Sequence, residues 1–127
     1  MAKRRLRLSV ALVGCALSVT GGAARAQDAA AGQAVFKTQC AICHSVQPGR
    51  NLTGPSLFGV DGRRSGQVPG FAYSEANSNS GMVWNADTLD LYLTSPKGVV
   101  PHNPMTYGGL KDAQKRADLI AYLLTLH

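Results

Sequence analysis

Residues 40–44 read Cys40-Ala41-Ile42-Cys43-His44, and this stretch decides the fold because two thiols lie three residues apart and a histidine follows the second. The pattern Cys-x-x-Cys-His is typical of covalent haem attachment. The two thiols would add to the two vinyl groups of the porphyrin, and His44 would then reach the iron as its proximal ligand. The sequence therefore predicts one covalent haem c, bound by Cys40 and Cys43 and ligated by His44.

Two other kinds of site also use Cys-x-x-Cys, namely a zinc site and a thioredoxin-like redox pair. A closed zinc site needs four protein ligands, and beyond residues 40–44 only His102 and His127 could complete it. A redox pair is expected near a βαβ pattern, which this chain lacks. Haem attachment is favoured, and these two remain its alternatives.

Residues 1–26 have the pattern of a secretory signal peptide. A basic start is followed by an apolar run over residues 8–19 and by Ala24-Arg25-Ala26. The apolar run is shorter than the roughly 20 residues that a membrane-spanning helix needs. Cleavage after Ala26 would leave one domain, residues 27–127, exported to the periplasm without a membrane span.

Cys15 introduces an alternative, because residues 12–15 read Leu-Val-Gly-Cys and resemble the lipobox of a bacterial lipoprotein. The cysteine would then be lipidated and become the first residue. Ordinary cleavage is favoured, since the apolar run continues beyond Cys15 to Val19. A lipid anchor at Cys15 remains the alternative.

The basic character of the full chain belongs mainly to the leader. Five of the 13 Lys and Arg residues lie in residues 1–26, and all seven Asp and Glu residues follow them. Cleavage leaves eight basic against seven acidic residues, so the mature net charge is close to zero. A nucleic-acid partner, which a strongly basic protein would suggest, therefore has no support.

The mature segment predicts helices separated by long loops. Asp28 and Asn85 are helix N-cap residues by type, and glycines and prolines interrupt residues 45–70 throughout. Gly32 would cost about 1 kcal/mol inside a helix, which suggests that another backbone passes close to it. The predicted helices are residues 29–40, 74–79, a segment from Asn85 to before Pro96, and about 110–126. No alternating strand pattern occurs, so the prediction is a single all-α domain.

The order of motifs around residues 40–44 resembles class I cytochromes c, a group that includes mitochondrial cytochrome c and related bacterial cytochromes. The matching positions are Gly32, Phe36, residues 40–44, 53–57, 58–66, 70–77, Trp84, residues 87–89, 92–93, 96–97, Met105 and residues 116–123. The resemblance implies a single-domain fold in which helices and long loops surround one covalent haem. It also implies that the N- and C-terminal helices pack against each other.

The resemblance implies axial and supporting ligands as well. Met105 would be the distal iron ligand, because a soft neutral thioether favours ferrous iron and raises the reduction potential. His102, three residues earlier, is the rival distal ligand. The carbonyl of Pro55 would accept a hydrogen bond from His44 and fix its tautomer, and Tyr92 would reach the Met105 sulfur.

The haem propionates would need polar partners if they are buried. By resemblance, Arg63, Tyr73 and Trp84 would contact them. The family has a propionate-binding threonine where this chain has Asn103, which would substitute as a donor. Two positions that carry lysines in the family are Gln39 and Pro104 here, so charge would steer docking less.

The implied function is a monomeric periplasmic electron carrier that is not an enzyme, because protein ligands would fill both axial positions. The expected donor is a quinol-oxidising complex or a periplasmic dehydrogenase, and the expected acceptor is a terminal oxidase or a photosynthetic reaction centre. One alternative is a small-ligand sensor or weak peroxidase with a displaceable Met105. Another is a dedicated electron-transfer subunit of a periplasmic dehydrogenase.

Overall fold

The computed structural model describes residues 26–127, so all but the last residue of the predicted signal segment, Cys15 included, lies outside the described residues. Within the described range the helices are α1 (Ala29–Gln39), α2 (Glu75–Ser78), α3 (Ala86–Thr94), α4 (Pro96–Val99) and α5 (Ala113–Leu123). Residues 26–127 form no strand, and Arg64 and Val83 share an isolated antiparallel bridge. The all-α prediction is confirmed. No helix in this range is long and apolar enough to cross a membrane.

Side-chain caps fix where the longer helices begin. The Asp28 carboxylate accepts hydrogen bonds from the backbone N–H groups of Ala30 and Ala31, at 2.9 and 3.1 Å. Asn85 and Thr88 form a reciprocal capping box at the start of α3. Such caps satisfy N–H groups that have no partner inside the helix. Both predicted N-caps are therefore confirmed.

Two helix boundaries differ from the sequence-based expectation. Helix α5 begins at Ala113 rather than near residue 110, because the Asp112 carboxylate caps it by accepting from Lys115 N. Helix α4 starts at Pro96, in the stretch between the last two predicted helices where the sequence predicted none. Proline suits the first helical position because the N–H that it lacks would have no helical partner there.

Helices α1 and α5 pack directly against each other, as predicted. A Cβ at Gly32 would overlap the Asp118 carbonyl and lie 2.9 Å from Leu119 N, so the two backbones touch. The buried Asp118 carboxylate also accepts from Asp28 N at 2.9 Å and from the Gln114 amide at 2.9 Å. The glycine is therefore required by a backbone contact, as the sequence suggested.

The hydrophobic core lies between α1, α3, α5 and the first long loop. Its buried members are Phe36, Val60, Leu89, Leu93, Leu110, Leu119, Ile120 and Leu123. The Phe36 ring also meets the Tyr122 ring, with the centroids 5.7 Å apart. Most of these core side chains also line the main cavity of the domain. Core and cavity therefore share their walls.

His102 has a left-handed backbone with φ +64°, and it is the only residue other than glycine with positive φ among the described residues. Its side chain is exposed. A residue with a Cβ is strained in this conformation, whereas glycine is not. We therefore expect His102→Gly to stabilise the protein by about 1 kcal/mol, which thermal unfolding should show as a rise of roughly 4–8 °C.

Gly49 supplies the matched control, because it has φ +67° and no atom would lie within 4 Å of an added Cβ. Gly49→Ala should lower the unfolding temperature, because it places a residue with a Cβ in the left-handed backbone conformation. An unchanged or lower midpoint for His102→Gly would contradict the assignment of strain to residue 102.

Candidate functional site

A cavity of about 490 Å³ is lined by residues of α1, α3, α5 and the loops between the helices. Nine of the ten residues predicted for the site line it, namely Cys40, Cys43, His44, Pro55, Arg63, Tyr73, Trp84, Tyr92 and Met105. The other walls are largely apolar. The fold thus gathers two thiols, an imidazole and a thioether around one mainly hydrophobic space, which is the donor set and environment that a covalent haem needs.

The two thiols lie where α1 ends. Cys40 is its C-cap residue, and the next turn is closed by hydrogen bonds from Cys43 N and His44 N to Cys40 O, at 3.0 and 2.9 Å. Both cysteines are free thiols. Burial raises the pKa of Cys40 to about 11, and the neighbouring Cys43 adds to the increase.

These properties bear on the two alternatives for Cys-x-x-Cys. A catalytic redox pair depends on a thiolate with a lowered pKa, whereas the pKa of Cys40 is raised. Within residues 26–127, no three His, Cys, Asp or Glu side chains come together in a way that could hold a metal ion. Neither a thioredoxin-like pair nor a closed zinc site is therefore supported.

His44 is held in one orientation on the wall of the cavity. Its Nδ1 lies 2.8 Å from the Pro55 carbonyl oxygen. Because a carbonyl only accepts, Nδ1 carries the proton and Nε2 keeps a free lone pair. Burial lowers the pKa of His44, against the opposing effect of the Pro55 hydrogen bond, and so favours the neutral ring.

Gly54 makes this orientation sterically feasible. A Cβ at residue 54 would collide with the His44 imidazole, and Gly54 N donates to Cys43 O at 2.7 Å. The first long loop therefore passes directly over the ring. A side chain at residue 54 would push the imidazole away from the cavity.

Asn103 is the one predicted site residue that the structure places elsewhere. It is 2% exposed and does not line the cavity. Its two amide hydrogens are donated to Pro96 O and Val100 O, at 3.0 and 2.9 Å, and its carbonyl accepts from Met105 N at 3.0 Å. The amide has no hydrogen left for a propionate. In this structure Asn103 braces the backbone of Met105.

Arg63 is a half-buried cation on the cavity wall. It donates to the carbonyls of Phe58 and Ser56, at 2.7 and 3.0 Å. Burial lowers the pKa of Arg63, yet a guanidinium keeps its charge in proteins. The only ion pair among the described residues joins Arg116 to Asp90. Arg63 therefore presents a positive charge that no carboxylate of the described chain neutralises.

Three aromatic residues complete this wall. The Tyr73 hydroxyl oxygen lies 3.4 Å from Val68 N, which donates to it, so its own proton remains free to donate. The rings of Trp84 and Tyr92 meet edge to face, with centroids 5.0 Å apart. Burial raises the pKa of Tyr92 to about 12, which keeps it a neutral phenol at physiological pH.

Sequence reasoning missed several residues of the wall. Ser65, Asn77, Thr106 and Tyr107 also line the cavity, and the Tyr107 hydroxyl donates a hydrogen bond to the Gln39 side chain. The signal that could have found Tyr107 is its position in the loop that delivers Met105. Neighbours of a predicted ligand in a surrounding loop are themselves candidates for the wall.

Comparison with known proteins agrees with this arrangement. Residues 29–127 match the family model described as Cytochrome c. The chain is 49% identical over 108 residues to cytochrome c2 of Blastochloris viridis, covering 84% of each chain. It is 51% identical over 105 residues to cytochrome c2 of Rhodopila globiformis, covering 83% of this chain and 99% of that protein.

Similarity is not confined to cytochromes c2. The chain is 48% identical over 99 residues to cytochrome c of Euglena viridis, covering 78% of this chain and 97% of that protein. The predicted resemblance is thus confirmed. The chain belongs to the cytochrome c family, whose members carry one covalently attached haem c and transfer electrons.

Proposed function

We propose that this protein is a periplasmic electron carrier whose haem is bound to Cys40 and Cys43 and ligated by His44 and Met105. The observation that carries the proposal is the cavity that these four side chains line together. Bound there, the haem supplies reversible one-electron exchange between ferrous and ferric iron. The chain supplies the attachment, the axial ligands and the surroundings.

The supporting residues tune the two axial ligands. The hydrogen bond from His44 to Pro55 fixes the imidazole tautomer and makes the ring a stronger ligand, as outer partners do at metal sites. Asn103 holds the backbone N–H of Met105. A rigid pair of ligands suits electron transfer, because the site then changes little between the two oxidation states.

Arg63, Tyr73 and Trp84 line the same cavity. The uncompensated charge of Arg63 would be neutralised by a propionate, and the free proton of Tyr73 would donate to one. These residues would therefore supply the polar partners that the propionates of a bound haem need.

With His44 and Met105 both on the iron, no coordination position remains for a substrate, so we propose no enzymatic activity. The alternative, a small-ligand sensor or weak peroxidase, requires Met105 to leave the iron easily. The brace from Asn103, which uses all of its hydrogen-bonding groups, favours the carrier.

The periplasmic location rests on the leader of residues 1–26. Because the chain is similar both to cytochromes c2 and to the Euglena protein, similarity alone does not indicate the compartment, and the leader is the argument for it. The proposed donor is a quinol-oxidising complex or periplasmic dehydrogenase, and the proposed acceptor is a terminal oxidase or photosynthetic reaction centre. Ile42 lines the cavity and is apolar and 87% exposed. Docking by apolar contact would suit this surface.

The decisive experiment is to express the full chain in a bacterium with working haem-attachment machinery and to isolate the exported protein. Intact mass should equal residues 27–127 plus one haem, and the oxidised protein should show the thioether-to-iron absorption band at neutral pH. A mature chain that starts at lipidated Cys15 would contradict free diffusion. A colourless protein with the mass of the bare chain would overturn the proposal.

A further inference from the structure

The loop that carries Met105 is anchored at both of its ends. On one side, Asn103 binds the carbonyls of Pro96 and Val100. On the other, Leu110 N donates to Leu93 O at 2.7 Å and Lys111 donates to Thr94 O. Between these anchors, over residues 104–109, a single hydrogen bond among the described residues reaches a distant part of the chain. It runs from the Tyr107 hydroxyl to the Gln39 side chain.

This hydrogen bond joins two segments of the cavity wall. Gln39 is the last residue of α1 and directly precedes Cys40, whereas Tyr107 follows Met105 by two residues. Both residues line the cavity, and the Tyr107 ring also packs against the hydrophobic core. The bond therefore connects the segment that carries the thiols to the segment that carries the thioether.

We propose that the Tyr107–Gln39 hydrogen bond is a latch that controls how readily Met105 leaves the iron. Tyr107 is thus a positioning residue, acting on Met105 through the backbone of residues 104–109 and without touching the iron. The proposal rests on the proposed function, in which Met105 is the distal ligand. The latch adds to that function a contact that keeps external ligands from replacing Met105.

The size of the effect follows from the strength of one partly exposed hydrogen bond. Its loss would raise the population in which the segment has moved outward by about three- to tenfold. An external ligand binds only that population, so its apparent affinity should increase by the same factor. The Tyr107 ring stays packed when only its hydroxyl is removed, so the fold should persist.

The experiment uses the mature holoprotein in its ferric state with imidazole as the probe, followed by absorbance. Tyr107→Phe should bind imidazole about three- to tenfold more tightly than the parent. Gln39→Leu should match it, and the double variant should show no further change, because both substitutions remove one interaction. Gln39→Glu keeps an acceptor and should bind imidazole nearly as weakly as the parent.

Tyr122→Phe is the matched control, because it removes a phenol hydroxyl from α5 at a residue that does not line the cavity. Its imidazole affinity should equal that of the parent. If the parent shows the thioether-to-iron band and Tyr107→Phe binds imidazole no more tightly, the latch is wrong while Met105 ligation stands. If the parent lacks the band, both the latch and the proposed ligation are overturned.

Discussion

Met105→Leu should lower the reduction potential by about 0.2 V, within the ~0.8 V range that axial ligands span, and should open the ferrous iron to carbon monoxide. The thioether stabilises ferrous iron, and leucine offers no atom that can replace it. Leucine and methionine have similar volumes, so the fold should be retained. Asn103 would still brace residue 105 through the backbone. Potentiometry and absorbance under carbon monoxide measure both effects.

Two variants make this test specific. Met82→Leu is the matched control, because Met82 lines a separate, smaller cavity of about 180 Å³, and it should change neither property. His102→Ala removes the rival ligand and should likewise leave both unchanged. If His102→Ala altered the potential and Met105→Leu did not, the distal ligand would be His102.

Gly32→Ala should destabilise the protein by about 2–3 kcal/mol, because the added Cβ would overlap the Asp118 carbonyl. The backbone of α5 cannot yield without separating from α1. Alanine is a better helix former than glycine by about 1 kcal/mol. A net decrease in the free energy of unfolding would therefore come from the steric overlap between α1 and α5. Thermal unfolding of the holoprotein should shift down by roughly 10–20 °C.

Gly108→Ala is the corresponding control. No atom would lie within 4 Å of its Cβ, and Gly108 is not among the glycines with positive φ. It should be neutral or slightly stabilising, since alanine restricts the unfolded chain. Equal stability of Gly32→Ala and the parent would show that α1 and α5 can separate slightly without cost.

The sequence predicted the features that depend on residue type and short spacing. The Cys40–Cys43–His44 pattern, the N-caps Asp28 and Asn85 and the close approach at Gly32 each follow from local chemistry or from the lack of one side chain. The resemblance supplied the order of the remaining motifs. Nine of the ten predicted site residues accordingly line one cavity.

What could not be predicted depends on where side chains point after the loops have folded. Asn103 was expected to face a propionate, but α4 presents the Pro96 and Val100 carbonyls to it, and these consume its donors. The pairing of Tyr107 with Gln39 joins residues 68 positions apart. No pattern in a single sequence encodes such a pair, because neither residue type specifies a partner.

The shared walls of core and cavity have a consequence for biogenesis. Val60, Leu89, Leu93, Leu119 and Leu123 belong both to the hydrophobic core and to the lining of the cavity. A haem bound in the cavity would add contacts to these side chains only in the folded chain, so compaction and cofactor acquisition should be coupled by mass action. The attachment enzyme should accordingly meet a chain that is not yet fully folded, and molecules that miss this encounter should be degraded by proteases.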